Sequence, residues 1–191
     1  MGHTFHPGFW PVLVLAAALA GCAAPARIDQ MKVDSPLATR TAIASSPLKA
    51  NVAIKDVTGG SETNPMWMSS VSSQGFERAL EASLRDAGLL SAGRQMGIYQ
   101  LQAHMQKLDQ PFIGASMAVT STVQYVLIER ASGKQVAARS WVTPYTAAWN
   151  ASFLGAERLK LANEGSAREN IQQLIGWLAG LKVTGVELVK R

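Results

Sequence analysis

Few side chains in this sequence are of the kinds that carry out nucleophilic or metal chemistry. Cys22 is the only cysteine among 191 residues, and the three histidines are His3, His6 and His104. Zinc sites are built from several Cys and His ligands held close together, and no segment of this sequence supplies such a group. A Ser-His-Asp arrangement needs a histidine as general base. Beyond the amino-terminal segment, only His104 could fill that role.

The surroundings of His104 favour an ordinary surface role. It stands in the segment 99–106, YQLQAHMQ, where apolar and polar residues alternate as in a strand with one buried and one solvated face. His104 falls on the solvated face, so we interpret it as a solvated or hydrogen-bonded histidine. The carboxylates of Asp56, Glu62 and Asp109 could pair, but the sequence gives no distance between them. The sequence therefore predicts a protein without catalytic residues, metal or cofactor, and a periplasmic hydrolase or transferase with an unfamiliar site is the alternative.

The single cysteine follows an apolar run. Residues 8–20, GFWPVLVLAAALA, are too short to span a bilayer as a helix and are typical of the core of a signal peptide. Residues 19–22, LAGC, resemble the bacterial lipobox, in which the cysteine sulfur is acylated before cleavage on its amino-terminal side. The resemblance implies a lipoprotein signal peptide over 1–21 and a mature chain that begins at lipidated Cys22. The segment departs from the pattern in having no Lys or Arg before the apolar run, and an ordinary secretory signal is the alternative.

Lipidation would also set the location of the protein. One acyl chain holds a protein on a membrane only marginally, so stable attachment needs two or more chains. In the sorting rule that accompanies the lipobox, an Asp directly after the cysteine retains a lipoprotein in the inner membrane. The residue here is Ala23. We therefore expect a lipid anchor in the outer membrane and a domain on its periplasmic face.

A linker is expected between the anchor and the folded domain. Prolines at 25, 36 and 47 stand among Ser, Thr and charged residues, and no helical or strand period is sustained. This pattern predicts a flexible linker over 22–50, with a root-mean-square span of roughly 30 Å. Residues 51–191 have the length of one domain with its own core.

The first half of that domain contains a predicted strand and a predicted helix. Apolar residues at 52, 54 and 57 predict a strand that ends at Gly59 and Gly60. A helix is expected to begin near Ser69 or Ser70 and to end at Gly88, since Gly favours helix C-termini. Its buried stripe, at i, i+4, i+8 and i+11, is Phe76, Leu80, Leu84 and Ala87.

The second half contains a predicted three-stranded meander and a long helix. Strands are expected at 99–106, 116–129 and 136–143, the last two joined by a hairpin at Gly133. A helix is expected over roughly 155–178, and the tail 183–191 could add a short strand. The order β-α-β-β-β-α predicts an α+β fold, a two-layer sandwich in which two amphipathic helices pack on a four-stranded mixed sheet.

Two segments extend the resemblance beyond the lipobox. Residues 59–90, GGSETNPMWMSSVSSQGFERALEASLRDAGLL, and 144–171, PYTAAWNASFLGAERLKLANEGSARENI, are similar to a group of uncharacterised proteobacterial lipoproteins. The architecture also resembles lipopolysaccharide-assembly and lipid-transport auxiliary lipoproteins of Gram-negative envelopes. This resemblance implies a role in envelope biogenesis or lipid transport, and it carries over no functional residue.

Two loops are the candidate binding surfaces. Segment 61–70, SETNPMWMSS, precedes a predicted helix start, where backbone amides favour an anion, and it carries adaptable Met and Trp contacts. Segment 144–153, PYTAAWNASF, carries three more aromatic residues. The alternative is that these side chains fold back onto the core. The candidate partner-binding residues are Glu62, Asn64, Met66, Trp67, Met68, Tyr145, Trp149 and Phe153.

The charge distribution gives no sign of a nucleic-acid partner. Eighteen Lys and Arg against 13 Asp and Glu leave a formal charge of +5, but the basic residues are scattered without a dense run. We therefore expect a non-catalytic binding or assembly module whose partner is an envelope protein or an anionic lipid. A purely structural envelope protein is a further alternative.

Overall fold

The computed structural model describes residues 23–66, 68–111 and 116–183. Its elements, in chain order, are α1 (Ile28–Met31), α2 (Leu37–Ala44), β1 (Val52–Thr58), α3 (Ser73–Ala87), β2 (Tyr99–Asp109), β3 (Met117–Glu129), β4 (Gln135–Ala147), a 3-10 turn (Trp149–Ala151) and α4 (Gly155–Gly180). Within these described ranges, no helix has both the length and the apolar character needed to cross a membrane.

One mixed sheet organises the domain. The strands lie in the order β1-β2-β3-β4, with β1 parallel to β2 and the other neighbours antiparallel. Helix α3 packs on β1, and α4 packs on β3 and β4. The predicted α+β fold is confirmed. The strand expected in the tail falls on residues 183–191, of which only Val183 is described.

The alternation in β2 decides which face of the sheet is buried. Its apolar residues from Tyr99 to Met105 are buried, and the residues between them, including Gln100, Gln102 and His104, are exposed or only partly buried. The same alternation continues in β3. Both long helices therefore cover one face, and the other face is a wet surface rich in Gln and Thr.

Helix α3 begins later than expected. Its N-cap is Ser72, whose Oγ accepts a hydrogen bond from the backbone N–H of Gly75 at 3.1 Å. Ser69 and Ser70 instead precede the helix, and the Ser70 N–H donates to Thr63 Oγ1 at 3.0 Å. The helix ends at Gly88, which adopts a left-handed conformation with φ +78°, as expected for a helix C-terminus.

The expectation of a flexible linker over 22–50 is wrong for residues 23–50. This stretch forms α1 and α2, and each of these short helices packs against both α3 and α4. Its sparse apolar residues enter the main core, where Met31, Val33, Ile43 and Leu48 are buried. The reason is tertiary: single apolar residues, too far apart to form a periodic stripe, each fill a gap between the two long helices.

Small and hydroxyl residues let α4 approach the sheet closely. At Gly165, a Cβ atom would lie 2.4 Å from the ring of Tyr145. The Ser166 hydroxyl donates to the carbonyl of Thr143 at 2.7 Å, and the Tyr125 hydroxyl donates to Asn170 Oδ1 at 2.8 Å. These buried polar groups satisfy one another, as burial requires.

Candidate functional site

Three connections meet at one end of the sheet, which we call the loop end. They are residues 59–72, 110–116 and 148–154, of which 67 and 112–115 lie outside the described residues. The strand directions bring them together, because β1 and β2 end here, β3 begins here and β4 ends here. Both candidate binding loops of the sequence therefore belong to this one end.

Buried contacts hold these connections in place. The Gln110 side-chain amide donates to the carbonyl of Ser69 at 3.0 Å and to Asn163 Oδ1 at 2.6 Å. The Asn163 amide donates to the same carbonyl at 3.0 Å. Met68 packs against a small apolar cluster made of Met117, Val119, Ala147, Leu159 and Ala162. These contacts fix the described residues around Ser69 and Gln110 against α4.

The first candidate loop turns tightly around Met66. Asn64 and Met68 exchange two backbone hydrogen bonds of 3.0 Å, and Asn64 Oδ1 accepts from the Met66 N–H at 3.0 Å. The turn leaves Met66 73% exposed, while Glu62 is exposed beside it. Trp67, also a candidate residue, lies outside the described residues.

Serine hydroxyl groups accept hydrogen bonds at the start of α3, where the sequence analysis expected an anion to bind. Ser72 Oγ accepts from Gly75 as described, and Ser73 Oγ accepts from the Gly60 N–H at 2.9 Å. The Ser72 oxygen thus satisfies one of the backbone amides that an anion bound at this helix N-terminus would use.

The second candidate loop separates its aromatic residues. Tyr145 belongs to the inward-facing residues of β4, and its ring is partly buried against Gly165. Trp149 is 67% exposed, and Phe153 is fully exposed. Leu154, which the sequence analysis did not single out, is 51% exposed. Leu154 directly precedes α4 and lies outside the apolar stripe of that helix. This position is the sequence signal from which its exposure could have been predicted.

The described chain enters the fold at the loop end. The Ala23 N–H donates to the carbonyl of Pro65 at 2.8 Å, and the Ala26 N–H donates to the carbonyl of Ser70 at 3.2 Å. Ala23 is buried. Cys22, the expected lipidation site, lies outside the described residues.

An ion pair fastens this entry to α4. The backbone N–H and the Nε of Arg27 donate to Glu164 Oε1 at 2.9 and 3.1 Å. The Glu164 side chain is 2% exposed. The hydrogen bond to Glu164 and the charge of its carboxylate raise the pKa of Arg27. Arg168 adds a hydrogen bond to the carbonyl of Gln30 at 3.3 Å.

His104 lies on the open face of the sheet, as the alternation predicted. Its Nδ1 shares a hydrogen bond of 2.9 Å with Thr58 Oγ1. A hollow of about 160 Å³ contains both side chains together with Asp56, Gln102 and Gln124. Asp56, Thr58 and His104 are all exposed, so the hollow is a shallow solvated surface and the imidazole is oriented by a threonine rather than by a carboxylate.

Two further hollows flank the loop end. One of about 240 Å³ is lined by Glu62, Asn64, Met68, Leu108 and Gln110, among others. The other, of about 390 Å³, lies between the end of β4 and α4 and is lined partly by Tyr145, Ala148, Leu161 and Glu164. Across the described ranges, no three His, Cys, Asp or Glu side chains come close enough together to hold a metal ion.

Comparisons with known proteins identify a shared fold. A Xanthomonas campestris protein of the DUF330 family superposes with a TM-score of 0.53 at 14% identity, over 68% of this chain and 83% of that one. A Caulobacter crescentus protein described as a lipoprotein gives a TM-score of 0.46 at 12% identity, over 75% and 93%. A minor lipoprotein of Acinetobacter baumannii gives 0.46 at 11%, over 69% and 92%.

The likeness to the Xanthomonas campestris protein shows the fold alone, and the function has to be argued from the chain itself. No family model matches the sequence. No curated protein matches it either.

Proposed function

We propose that this protein is an outer-membrane lipoprotein anchored through Cys22, and that its periplasmic domain is a non-catalytic binding or assembly module in envelope biogenesis or lipid transport. The apolar run at 8–20 followed by LAGC supports acylation of the sulfur. The fold shared with the DUF330 protein is compatible with this role and adds no evidence for it.

The observation that carries the proposal is the hydrogen bond between Ala23 and Pro65. Ala23, the residue directly after the cysteine, is already bonded into the fold, so an anchor at Cys22 would have no long tether. A lipid on Cys22 would hold the loop end against the bilayer rather than letting the domain stand off by tens of ångströms. The two candidate binding loops are then presented at the membrane surface, where lipids and envelope proteins are both within reach.

Membrane fractionation tests the anchor and its sorting. We expect the wild-type protein in the outer membrane and Cys22→Ser outside it, because serine offers no sulfur for acylation. Ala23→Asp should move the protein to the inner membrane by the sorting rule, whereas Ala23→Ser should not. Because Ala23 is buried, thermal unfolding of both variants serves as a control for folding. Cys22→Ser that remains in the outer membrane in wild-type amounts would refute the anchor.

Photo-crosslinking in cells tests the binding module. A photoreactive residue at Trp67 or at Trp149 should give a discrete adduct, and the same residue at Ser132, in the hairpin at the opposite end of β3, should not. Mass analysis separates protein adducts from lipid adducts. If both loop-end positions give the same background as Ser132, the candidate loops bind nothing.

A further inference from the structure

The loop end concentrates exposed apolar side chains. Four large apolar side chains in the connections at this end are more than half exposed: Met66, Trp149, Phe153 and Leu154. Phe153 is fully exposed, so its ring gains nothing from the fold of the monomer. Soluble proteins seldom expose clustered large apolar residues unless the cluster meets a partner.

The opposite end has a different surface. Its β3–β4 hairpin, residues 130–134, is RASGK. Met96 and Ile98 are exposed there too, but they lie beside Arg130, whose guanidinium donates to the carbonyls of Gly97 and Met96 at 2.9 Å. Transfer of Met96 and Ile98 into an apolar medium would also desolvate the Arg130 guanidinium that lies against them.

The position of Ala23, where the described chain begins, indicates which partner the loop end would contact. Ala23 is hydrogen-bonded to Pro65, the residue before Met66. Consecutive Cα atoms are about 3.8 Å apart, so an acylated residue 22 would begin within about one residue of this loop. The exposed Met, Trp, Phe and Leu side chains would then face the surface that receives the acyl chains.

We infer that the loop end is a membrane-contacting surface, in which Met66, Trp149, Phe153 and Leu154 enter the interfacial region of the bilayer. This inference rests on the proposed lipid anchor at Cys22. Aromatic rings are the side chains that favour the membrane–water interface, and exposed apolar residues bind it by losing contact with water. The lipid and the protein surface together form a two-part attachment.

An orientation follows from this contact. The 13 residues of β3 run from the loop end to the hairpin at 130–134, which at about 3.3 Å per residue spans roughly 40 Å. The hairpin would therefore project about that far into the periplasm. The wet face of the sheet, with Gln102, His104 and Gln124, would stand upright beside the membrane and remain open to other molecules.

Single spin labels test the contact in the full lipidated protein. Wild-type protein, purified with its anchor and placed in phospholipid vesicles, should have no reactive thiol because the sulfur of Cys22 is in a thioether. Phe153→Cys and Met66→Cys each add one labelling site, and Ser132→Cys is the matched control at the distant hairpin. All three positions are exposed, so labelling disturbs little packing.

We expect oxygen, which concentrates in lipid, to collide with the labels at 153 and 66 several-fold more often, relative to a water-soluble nickel complex, than with the label at 132. If the wild-type protein stays with the vesicles and has no free thiol, but the labels at 66, 153 and 132 in the three variants collide equally often with the nickel complex, the membrane contact alone is overturned. Wild-type protein that itself takes up label at Cys22 would overturn the lipid anchor and, with it, this inference.

Discussion

At the residue scale, two glycines with left-handed backbone differ in what surrounds them. Gly59 has φ +83°, and a Cβ there would lie 2.1 Å from the carbonyl oxygen of Met105. Gly133 has φ +68°, and a Cβ there would meet nothing within 4 Å. The first glycine lets β1 turn into the loop end against β2, and the second only closes a hairpin.

Substitution by alanine should separate these two roles. We expect Gly133→Ala to cost about 1 kcal/mol for the backbone conformation alone, and Gly59→Ala to cost about 3 kcal/mol or more because the new methyl group also forces β1 and β2 apart. Urea unfolding of both variants measures the difference. Equal losses would show that the close approach at Gly59 is relaxed without cost.

Tyr125 is the other residue whose surroundings predict a measurable effect. Burial raises the pKa of its hydroxyl well above the ordinary value of about 10, because the phenolate would lose its hydration. The folded state therefore holds this proton more tightly than the unfolded state. Its contribution to stability is complete below about pH 10 and is lost as the pH rises further.

Tyr125→Phe should make the alkaline loss of stability less steep. The variant also loses the hydrogen bond to Asn170, so we expect it to be less stable near pH 8, by about 1 kcal/mol. Urea unfolding between pH 8 and pH 11 checks both effects. A wild-type curve and a variant curve with the same alkaline slope would contradict the buried, protonated state of Tyr125.

At the element scale, the strands and long helices could be predicted because each repeats its pattern. Alternation placed His104 on the wet face, and Gly88 ended α3 where expected. The predicted start of α3 is wrong because Ser69 and Ser70 make loop contacts with Thr63 and Gln110 instead. Gln110 is 41 residues from Ser69 along the chain, so no local sequence pattern indicates its contact. The exposure of Phe153 could not be predicted either, since a loop has no period that assigns its residues to a face.

The stretch 23–50 shows the same limit more strongly. Met31 and Ile43 are buried between the long helices, but each is an isolated apolar residue among polar neighbours. Their burial depends on partners far along the chain, such as the pairing of Arg27 with Glu164. Sequence patterns detect periodic faces, so they read this stretch as a linker.

Limited proteolysis distinguishes a packed segment from a linker. Trypsin sites at Arg27, Lys32, Arg40 and Lys49 lie between the expected anchor and β1. Because backbone hydrogen bonds and burial hold this stretch, we expect membranes treated with trypsin to keep the domain, and to release it only in urea concentrations that unfold it. Rapid release of an intact domain without urea would show that the stretch is flexible.

The Arg27–Glu164 pair should contribute to that resistance. Arg27→Ala leaves the buried Glu164 carboxylate without its cation, whereas Arg27→Lys keeps a positive charge with fewer donors. We expect trypsin to cut at the remaining sites of 28–50 faster in Arg27→Ala than in Arg27→Lys. Equal rates in these two variants and in the wild type would show that the pair does not hold the segment.

At the scale of the whole molecule, the entry of the described chain and the exposed apolar residues lie at one end of the sheet, where the proposed lipid anchor would also lie. The Ala23–Pro65 hydrogen bond joins the entry to the loop of Met66, and Gln110 and Asn163 join that loop to α4. The domain would therefore meet the membrane as one rigid body, with its wet sheet face turned sideways. This arrangement depends on a lipid at Cys22.

The most direct measurement is the mass of the first tryptic peptide of the protein isolated from membranes. No Lys or Arg precedes Arg27, so the peptide reports both cleavage and acylation. We predict a peptide of residues 22–27, CAAPAR, that carries acyl chains. A peptide that still begins at Met1, or one of residues 22–27 with an unmodified thiol, would contradict the account.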